Sequence, residues 1–441
     1  MLVINPMTSD TRVEKQARAL VAHGDEVIVV ATHADGLAPE ELRDGYRILR
    51  LPYRRPLKDA FVLPFDRATA RHRGRSDAAQ VAQRGGISLG LRFPRLRGTA
   101  ERAVTRLWLL FGGAILKAIR SRALTIDYWH GIGRRIPDHV ERPDIITAHD
   151  LGPLQAAVRL ADRWEATGSR PRVVYDSHEL YVEQQTRWTR REKLAWKLHE
   201  RRQIGRADLV TTVSPGIASE LERRYRLTAR PTLVLNSPVS PPTSADPAAA
   251  DVRSDLGCQP GILAVYVGSV KPGRGVDLLI PALSAKDGWR LAIVGAGRNG
   301  YVQGLIEAAT KLGVGGRVHL LDTRPAEELP TYLRTADVGV HPMEPSCLNH
   351  ELALPNKLFD YLFAGLPVAV SALRQMRSLV DEHRLGTTFD PRDPSSAADA
   401  IITAADWPRP VASPPLLAEL SWENQAAQLV EAYERLASLR Q

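Results

Sequence analysis

Ala353-Leu-Pro-Asn-Lys-Leu-Phe-Asp-Tyr-Leu-Phe-Ala-Gly-Leu-Pro-Val-Ala-Val-Ser371 is the stretch from which the fold can be read. Pro355 suits the first position of a helix, where its missing N–H costs nothing. At about 100° per residue, Asn356, Lys357, Asp360 and Tyr361 share one face of that helix. Leu358, Phe359, Leu362 and Phe363 share the opposite one. A cation and an amide then sit in the first turn, beside free backbone N–H groups, with a carboxylate one turn on. Such a turn binds an anion and offers an acceptor to hydroxyls such as a ribose pair. Taken alone, the same pattern also describes an amphipathic helix with a solvated polar face. Gly365-Leu-Pro367 ends the helix, and Val368–Ser371 reads as a buried strand.

Upstream, Tyr266-Val-Gly-Ser-Val-Lys-Pro-Gly-Arg-Gly-Val-Asp-Leu-Leu-Ile280 runs from strand through glycine loop to helix. Gly268, Gly273 and Gly275 let the backbone approach a phosphate, and Arg274 places a fixed charge at the helix start. The spacing is neither a Walker A loop nor GxGxxG, and a plain strand–loop–helix connection has the same outline. Val294-Gly-Ala-Gly297 repeats the theme after the next strand.

The same alternation of short apolar runs and helical patterns fills the chain, as in parallel sheets covered by helices. Strands are expected near Leu2–Ile4, Val27–Val30, Tyr46–Leu51, Asp144–Thr147, Val173–Tyr175, Leu209–Thr212 and Thr232–Leu235. Helices are expected over Val13–His23, Ala100–Arg120, Pro153–Ala166, Glu183–Gly205 and Pro215–Tyr225. Ser237–Ala250, rich in Pro, Ser and Ala, reads as a linker. Beyond it come strands at Leu263–Val267, Arg290–Val294, Val318–Leu321, Val338–His341 and Val368–Ser371. Helices from Gly275 and over Asn299–Leu312, Ala326–Arg334 and Asn356–Phe363 separate them. The expected class is α/β, with two Rossmann-like doubly wound domains facing each other across a cleft. The expected boundaries are 1–236 for a first domain with a basic insertion at about 53–135, 237–260 for the linker, 261–415 for a second domain, and 416–441 for a helix crossing back.

Composition narrows the function. A chain of 441 residues, 44% hydrophobic and 25% charged, is globular and too long for one core. Two cysteines, Cys258 and Cys347, exclude a disulfide scaffold and a four-thiolate zinc site. The net charge of +9 is local: Tyr53–Arg135 holds 18 Lys or Arg against five Asp or Glu, leaving −4 for the rest. Few aromatics interleave with these arginines, so nucleic acid is not expected as a partner. The segment is either solvated surface or a patch for an anionic acceptor or membrane face. The longest apolar run, Leu107–Leu116, is ten residues, short of the ~20 a membrane span needs. The first residues read as a strand and turn rather than a signal peptide, so a cytoplasmic protein is expected, with membrane contact at most peripheral.

Taken together these blocks resemble the retaining glycosyltransferase family 4, of GT-B fold, in its Leu-Pro-Asn-Lys-Leu-Phe-acid subgroup. Supporting blocks are Asp10-Thr-Arg-Val13, Ala148-His-Asp-Leu151, Tyr175-Asp-Ser-His-Glu-Leu180, Ala207–Gly216, Val234-Leu-Asn236 and the closing Ser421-Trp-Glu423. The resemblance implies a metal-independent glycosyltransferase using a UDP or GDP sugar as co-substrate, with no resident cofactor and no metal residues. No Asp-x-Asp pair is present. It implies that Arg274 and Lys357 clamp the donor diphosphate and that Asp360, one methylene shorter than the usual Glu, holds the ribose. Gly268, Ser269, Gly273, Gly295, Leu321 and Asn356 would complete the donor site, and His149 would stand near the anomeric carbon. Asp10, Arg12, Asp176, His178 and Glu179 would line the acceptor side. Many members carry a second Glu eight residues before the helix acid. Leu352 stands there, leaving Asn349 or the backbone around Leu354 as replacements. That gap keeps a non-catalytic nucleotide-sugar-binding subunit open as an alternative, alongside a GT-B epimerase.

Overall fold

The structure is a computed structural model that describes residues 1–53, 127–184, 188–240, 250–257, 260–295, 297 and 300–438. Most of the basic insertion, the helix expected over Ala100–Arg120, most of the linker and Cys258 lie outside the described residues. The chain divides into two compact units. One comprises Met1–Thr11, Asp25–Tyr175 and Arg187–Asp208, and the other Arg12–Gly24, Asp176–Thr186 and Leu209–Gln441.

In the first unit β1 (Ile28–Thr32), β2 (Glu40–Arg43) and β3 (Tyr46–Leu51) form a sheet in the order β1-β3-β2. The β1–β3 pairing is parallel and the β2–β3 pairing antiparallel. Sequence alone gave no strand at β2 because Glu-Glu-Leu-Arg lacks an apolar alternation. Its hold comes from Arg50 on β3, buried, which donates to Glu41 Oε2 at 2.6 Å. The strand expected at Leu2–Ile4 is reduced to bridges from Leu2 to Val30 and to Ala148 of β4 (Ile145–His149). Pro6 follows closely, and proline cannot donate to a ladder. β5 (Arg172–Ser177) lies beside β4. The helix Arg190–Ile204 starts later than expected, at a capping box formed by Thr189 and Glu192.

The second unit holds the parallel pair β6 (Leu209–Thr212) and β7 (Thr232–Leu233). It also holds a six-stranded sheet made from β8 (Ile262–Val267), β9 (Trp289–Val294), β10 (Val318–Leu321), β11 (Val338–His341), β12 (Val368–Ser371) and β13 (Gly386–Phe389). Their order is β10-β9-β8-β11-β12-β13, all parallel. That is the dinucleotide-fold order, with its switch point between β8 and β11. Side chains alternate between two cores, one on each face of the sheet. Leu263, Val265 and Val267 of β8 join Leu358, Phe359 and Leu362 of the helix Asn356–Phe363 on one face. Ala264 and Tyr266 join Val276, Leu279, Ile280 and Leu283 of the helix Val276–Ala285 on the other. β13 and the helices Arg374–His383, Pro394–Ala405 and Pro414–Leu420 were not foreseen. Arg374–His383 buries only Met376 and Val380, so its apolar signal is thin.

The last helix, Trp422–Ser438, is tied by Gln425, whose Oε1 accepts the Leu235 N–H at 2.9 Å, and by the Trp422 N–H donating to Pro238 O. Among the described residues no helix is long and apolar enough to cross a membrane.

Candidate functional site

The carboxyl ends of β8 and β11 flank the switch point, where ligands of such sheets bind. β8 delivers the chain into Gly268 at φ +111°, a conformation side-chain-bearing residues rarely adopt. A Cβ on Gly268 would lie 2.5 Å from Lys357 Cε and 2.9 Å from its Nζ. The lysine chain therefore runs across the bare glycine backbone. The two sequence blocks read as phosphate sites are one site in space.

Gly275, at φ +72°, caps the helix Val276–Ala285 without a side chain, and a Cβ there would fall 1.6 Å from Pro342 O. Only glycine lets the loop after β8 press on the end of β11. Gly295 closes the floor, its own Cβ position 3.8 Å from Gly268 Cα. The Gly295 N–H donates to Leu321 O at 3.0 Å, and Tyr266 Oη donates to Ser269 O at 3.2 Å. Gly273 is also left-handed, at φ +85°, and half-buried Arg274 follows it.

The helix spans Asn356–Phe363, and Pro355, expected at its first position, is instead the residue before its first turn, with no side-chain cap. No side chain takes its first N–H groups, and the Leu358 N–H donates back to Pro355 O at 3.0 Å. Asn356 is exposed. The face carrying Asp360 and Tyr361 is not solvated, because both residues are buried. The Tyr361 hydroxyl accepts the Val267 N–H at 3.0 Å and donates to Val340 O at 3.1 Å. Its ring occupies the side-chain space of Gly339, where a Cβ would meet Cγ at 2.2 Å. Tyr361 thus fastens the helix to β8 and β11, and Lys357 and Asp360 stand on a fixed base.

Charge follows the burial. Burial pushes the Asp360 carboxyl up to about 7, against the pull of Lys357 and Lys15. Burial, with Arg274 beside it, brings the Lys357 ammonium down to about 8. His341, fully buried at the end of β11, has neither ring nitrogen hydrogen-bonded and stacks on Tyr266. Burial first, then Lys357 and Arg274, hold its pKa well below the usual imidazole value. The site is rich in cationic charge that water does not fully solvate, which a diphosphate would satisfy.

Sequence reasoning missed Lys15. Its Nζ donates to Ser237 O at 2.5 Å and sits 4.8 Å over the Trp422 ring. Burial, then Arg12, lowers it to about 7, while Asp360 and Glu423 pull it back up. A faint signal was available: the helix Thr11–His23 buries polar Arg12 and Gln16 together with Val13, Ala17 and Leu20.

Of the residues expected on the acceptor side, Arg12 and Asp176 meet each other. Arg12 donates from Nε and Nη2 to Asp176 at 2.9 and 2.6 Å, and from Nη1 to Val234 O at 2.8 Å. Asp176 also accepts from Gln16 Nε2 at 2.9 Å and Thr211 Oγ1 at 2.7 Å. His178 Nε2 stands 2.9 Å from Asp176 Oδ2. Glu179 accepts from Asn349 Nδ2 at 3.1 Å, while Asn349 Oδ1 accepts the Leu180 N–H at 2.7 Å. Leu352 is buried, and its carbonyl accepts from Ser214 Oγ. Glu351 accepts the Arg374 N–H at 3.0 Å, at the start of the helix Arg374–His383.

In the other unit, His149 ends β4, buried, with its N–H on Leu2 O at 3.1 Å. Asp10 accepts from Asn5 Nδ2 at 2.7 Å. The loop between them has no glycine; Met7 takes the left-handed position at φ 56°, its N–H donating to Asn5 Oδ1 at 2.9 Å.

Residues 261–406 match the family model described as Glycosyl transferases group 1, and residues 77–241 match Glycosyltransferase Family 4. The D-inositol 3-phosphate glycosyltransferase of Corynebacterium urealyticum is 31% identical over 145 residues, which make up 31% of this chain and 32% of that protein. The chain thus spans about a third of that relative's length. The D-inositol 3-phosphate glycosyltransferase of Corynebacterium efficiens is 25% identical over 330 residues, 70% of each chain. The crystal structure of Anabaena Alr3699/HepE in complex with UDP-glucose shares the fold at a TM-score of 0.59 and 15% identity, covering 98% of both chains. With glycosyltransferase sequence in both halves, the chain is a two-domain α/β protein of the GT-B fold.

Proposed function

We propose that the chain is a retaining, metal-independent glycosyltransferase that moves a sugar from a UDP or GDP sugar to an acceptor hydroxyl. The observation that carries this reading is Lys357 lying across Gly268, beside Arg274 and two helix starts without side-chain caps. The donor diphosphate takes its charge balance from Arg274 and Lys357 and its hydrogen bonds from the N–H groups of the two helix starts. Asp360 accepts from the ribose hydroxyls. As the bond from anomeric carbon to phosphate oxygen breaks, negative charge grows on the leaving diphosphate, where these fixed donors stabilise it. Retention follows from attack on the face the phosphate leaves, with the phosphate oxygen taking the acceptor proton. His149 stands near the anomeric carbon in this reading, and His178 and Glu179 on the acceptor side.

The complexed UDP-glucose of Alr3699/HepE supports a nucleoside-diphosphate donor. The inositol-phosphate relatives support a polyhydroxylated acceptor, whether glycan, lipid-linked sugar or specialised metabolite. In this reading the protein works in the cytoplasm. The test is a panel of UDP and GDP sugars given to the purified full chain, with products read by mass. Slow hydrolysis of one donor is the expected result. Tight nucleotide binding with no turnover on any donor would make the chain a binding subunit instead.

The same geometry sets a pH profile. Lys357 must carry its proton to meet the diphosphate, and with its pKa lowered to about 8 it loses that proton as pH rises past 8. Asp360 must be ionised to accept from the ribose, and with its pKa raised to about 7 it is protonated as pH falls below 7. Donor kcat/KM is therefore expected to form a narrow bell between these limbs. Asp360→Asn should lower the plateau and flatten the acid limb. An acid limb unchanged in that variant would assign it to another group.

A further inference from the structure

The helix Arg190–Ile204 carries a face that the proposed transfer does not use. It buries Trp196, His199, Glu200 and Ile204, and Trp188 stacks on Trp196 with ring centroids 5.9 Å apart. One turn apart on its other side, Leu194 is 57% exposed and Leu198 47%. Arg190, Arg191, Arg201 and Arg202 are exposed as well. At helical spacing they fall on the same side as the two leucines, around them. Among the described residues none of these four arginines forms an ion pair or a side-chain hydrogen bond. Two other exposed arginines find carboxylates, Arg206 with Asp162 and Arg223 with Glu220.

We propose that this face docks on an anionic lipid bilayer, with the leucines in the acyl boundary and the guanidinium groups among the headgroup phosphates. Charge complementarity selects the occupant. Two leucines are too small an apolar patch for a stable protein interface, whereas four unpaired cations around them match a phosphate surface. Arginine is weakly hydrated and binds phosphate with two parallel hydrogen bonds, so it suits that boundary better than lysine. The long stems of the arginines allow the leucines to sink while the charges stay at headgroup level.

The test is sedimentation of the full chain with vesicles of phosphatidylglycerol mixed with phosphatidylcholine, set against vesicles of phosphatidylcholine alone. Binding is expected only with the anionic lipid and should weaken as salt screens the charges. Leu194→Ser with Leu198→Ser should weaken it by about tenfold or more. Arg190→Glu with Arg202→Glu should do the same. All four changes are at exposed positions, and an unchanged unfolding midpoint confirms that the fold is kept. The proposal is overturned if the parent chain does not sediment with anionic vesicles, or if both double variants bind them as the parent does.

Discussion

Lys357→Ala is expected to lower turnover with the true donor by about two to three orders of magnitude, with little change in the unfolding midpoint. The ammonium lies against Gly268, beside Arg274, and burial has already brought its pKa down to about 8. In the proposed reaction a cation so placed is poorly solvated before the donor arrives and gains most when charge grows on the leaving phosphate. Loss of that contact should therefore appear in kcat as well as in KM. Lys357→Arg keeps the charge but must fit a planar fork over Gly268, so it should recover only part of the loss. Stability should hardly move, because Tyr361, Leu358, Phe359 and Leu362 anchor the helix. Turnover within a few-fold of the parent would place the phosphate site elsewhere.

Asp176→Ala is expected to cost about 3–5 kcal/mol of stability, the usual penalty for removing one partner of a buried ion pair. Asp176 is fully buried and accepts from Arg12, Gln16 and Thr211, with His178 also at 2.9 Å. Removing it leaves the Arg12 guanidinium with only the Val234 carbonyl. Asp176→Asn keeps one acceptor oxygen and should cost less. Urea unfolding followed by circular dichroism measures both. A loss below about 1 kcal/mol for the alanine variant would mean that water replaces the carboxylate. In the proposed function this network makes Arg12 and Asp176 positioning residues, which set the orientation of His178.

The stretch from β10 to β12 was the most legible part of the sequence. β10, β11 and β12 fall where the apolar runs predict them, and the helix Asn356–Phe363 has the expected bounds. Short buried parallel strands are continuous apolar runs, so they stand out against polar loops. β2 was illegible because it is held by its ladder with β3 and by the bond between Arg50 and Glu41, nine residues apart, and not by an apolar pattern of its own. The helix Arg374–His383 was illegible because Met376, Leu379 and Val380 are its only apolar residues and the rest is polar or charged.

By itself the sequence determined which residue types could meet a diphosphate: glycines after one strand, Arg274 at a helix start, and Lys357 and Asp360 one turn apart on another helix. It could not determine that the two blocks meet. Some 90 residues separate Gly268 from Lys357, and only the strand order, which sets β8 beside β11, puts the lysine across the glycine. Nor could it tell a solvated polar face from a buried one. The helical period shows which side chains share a face, but what covers that face is set by long-range packing. Here Tyr361 turns inward to bond β8 and β11, and Asp360 is shut away from water, its carboxyl raised to about 7. The residue types come from local chemistry. Their proton affinities and their meeting come from burial and strand order, which exist only once the chain has folded.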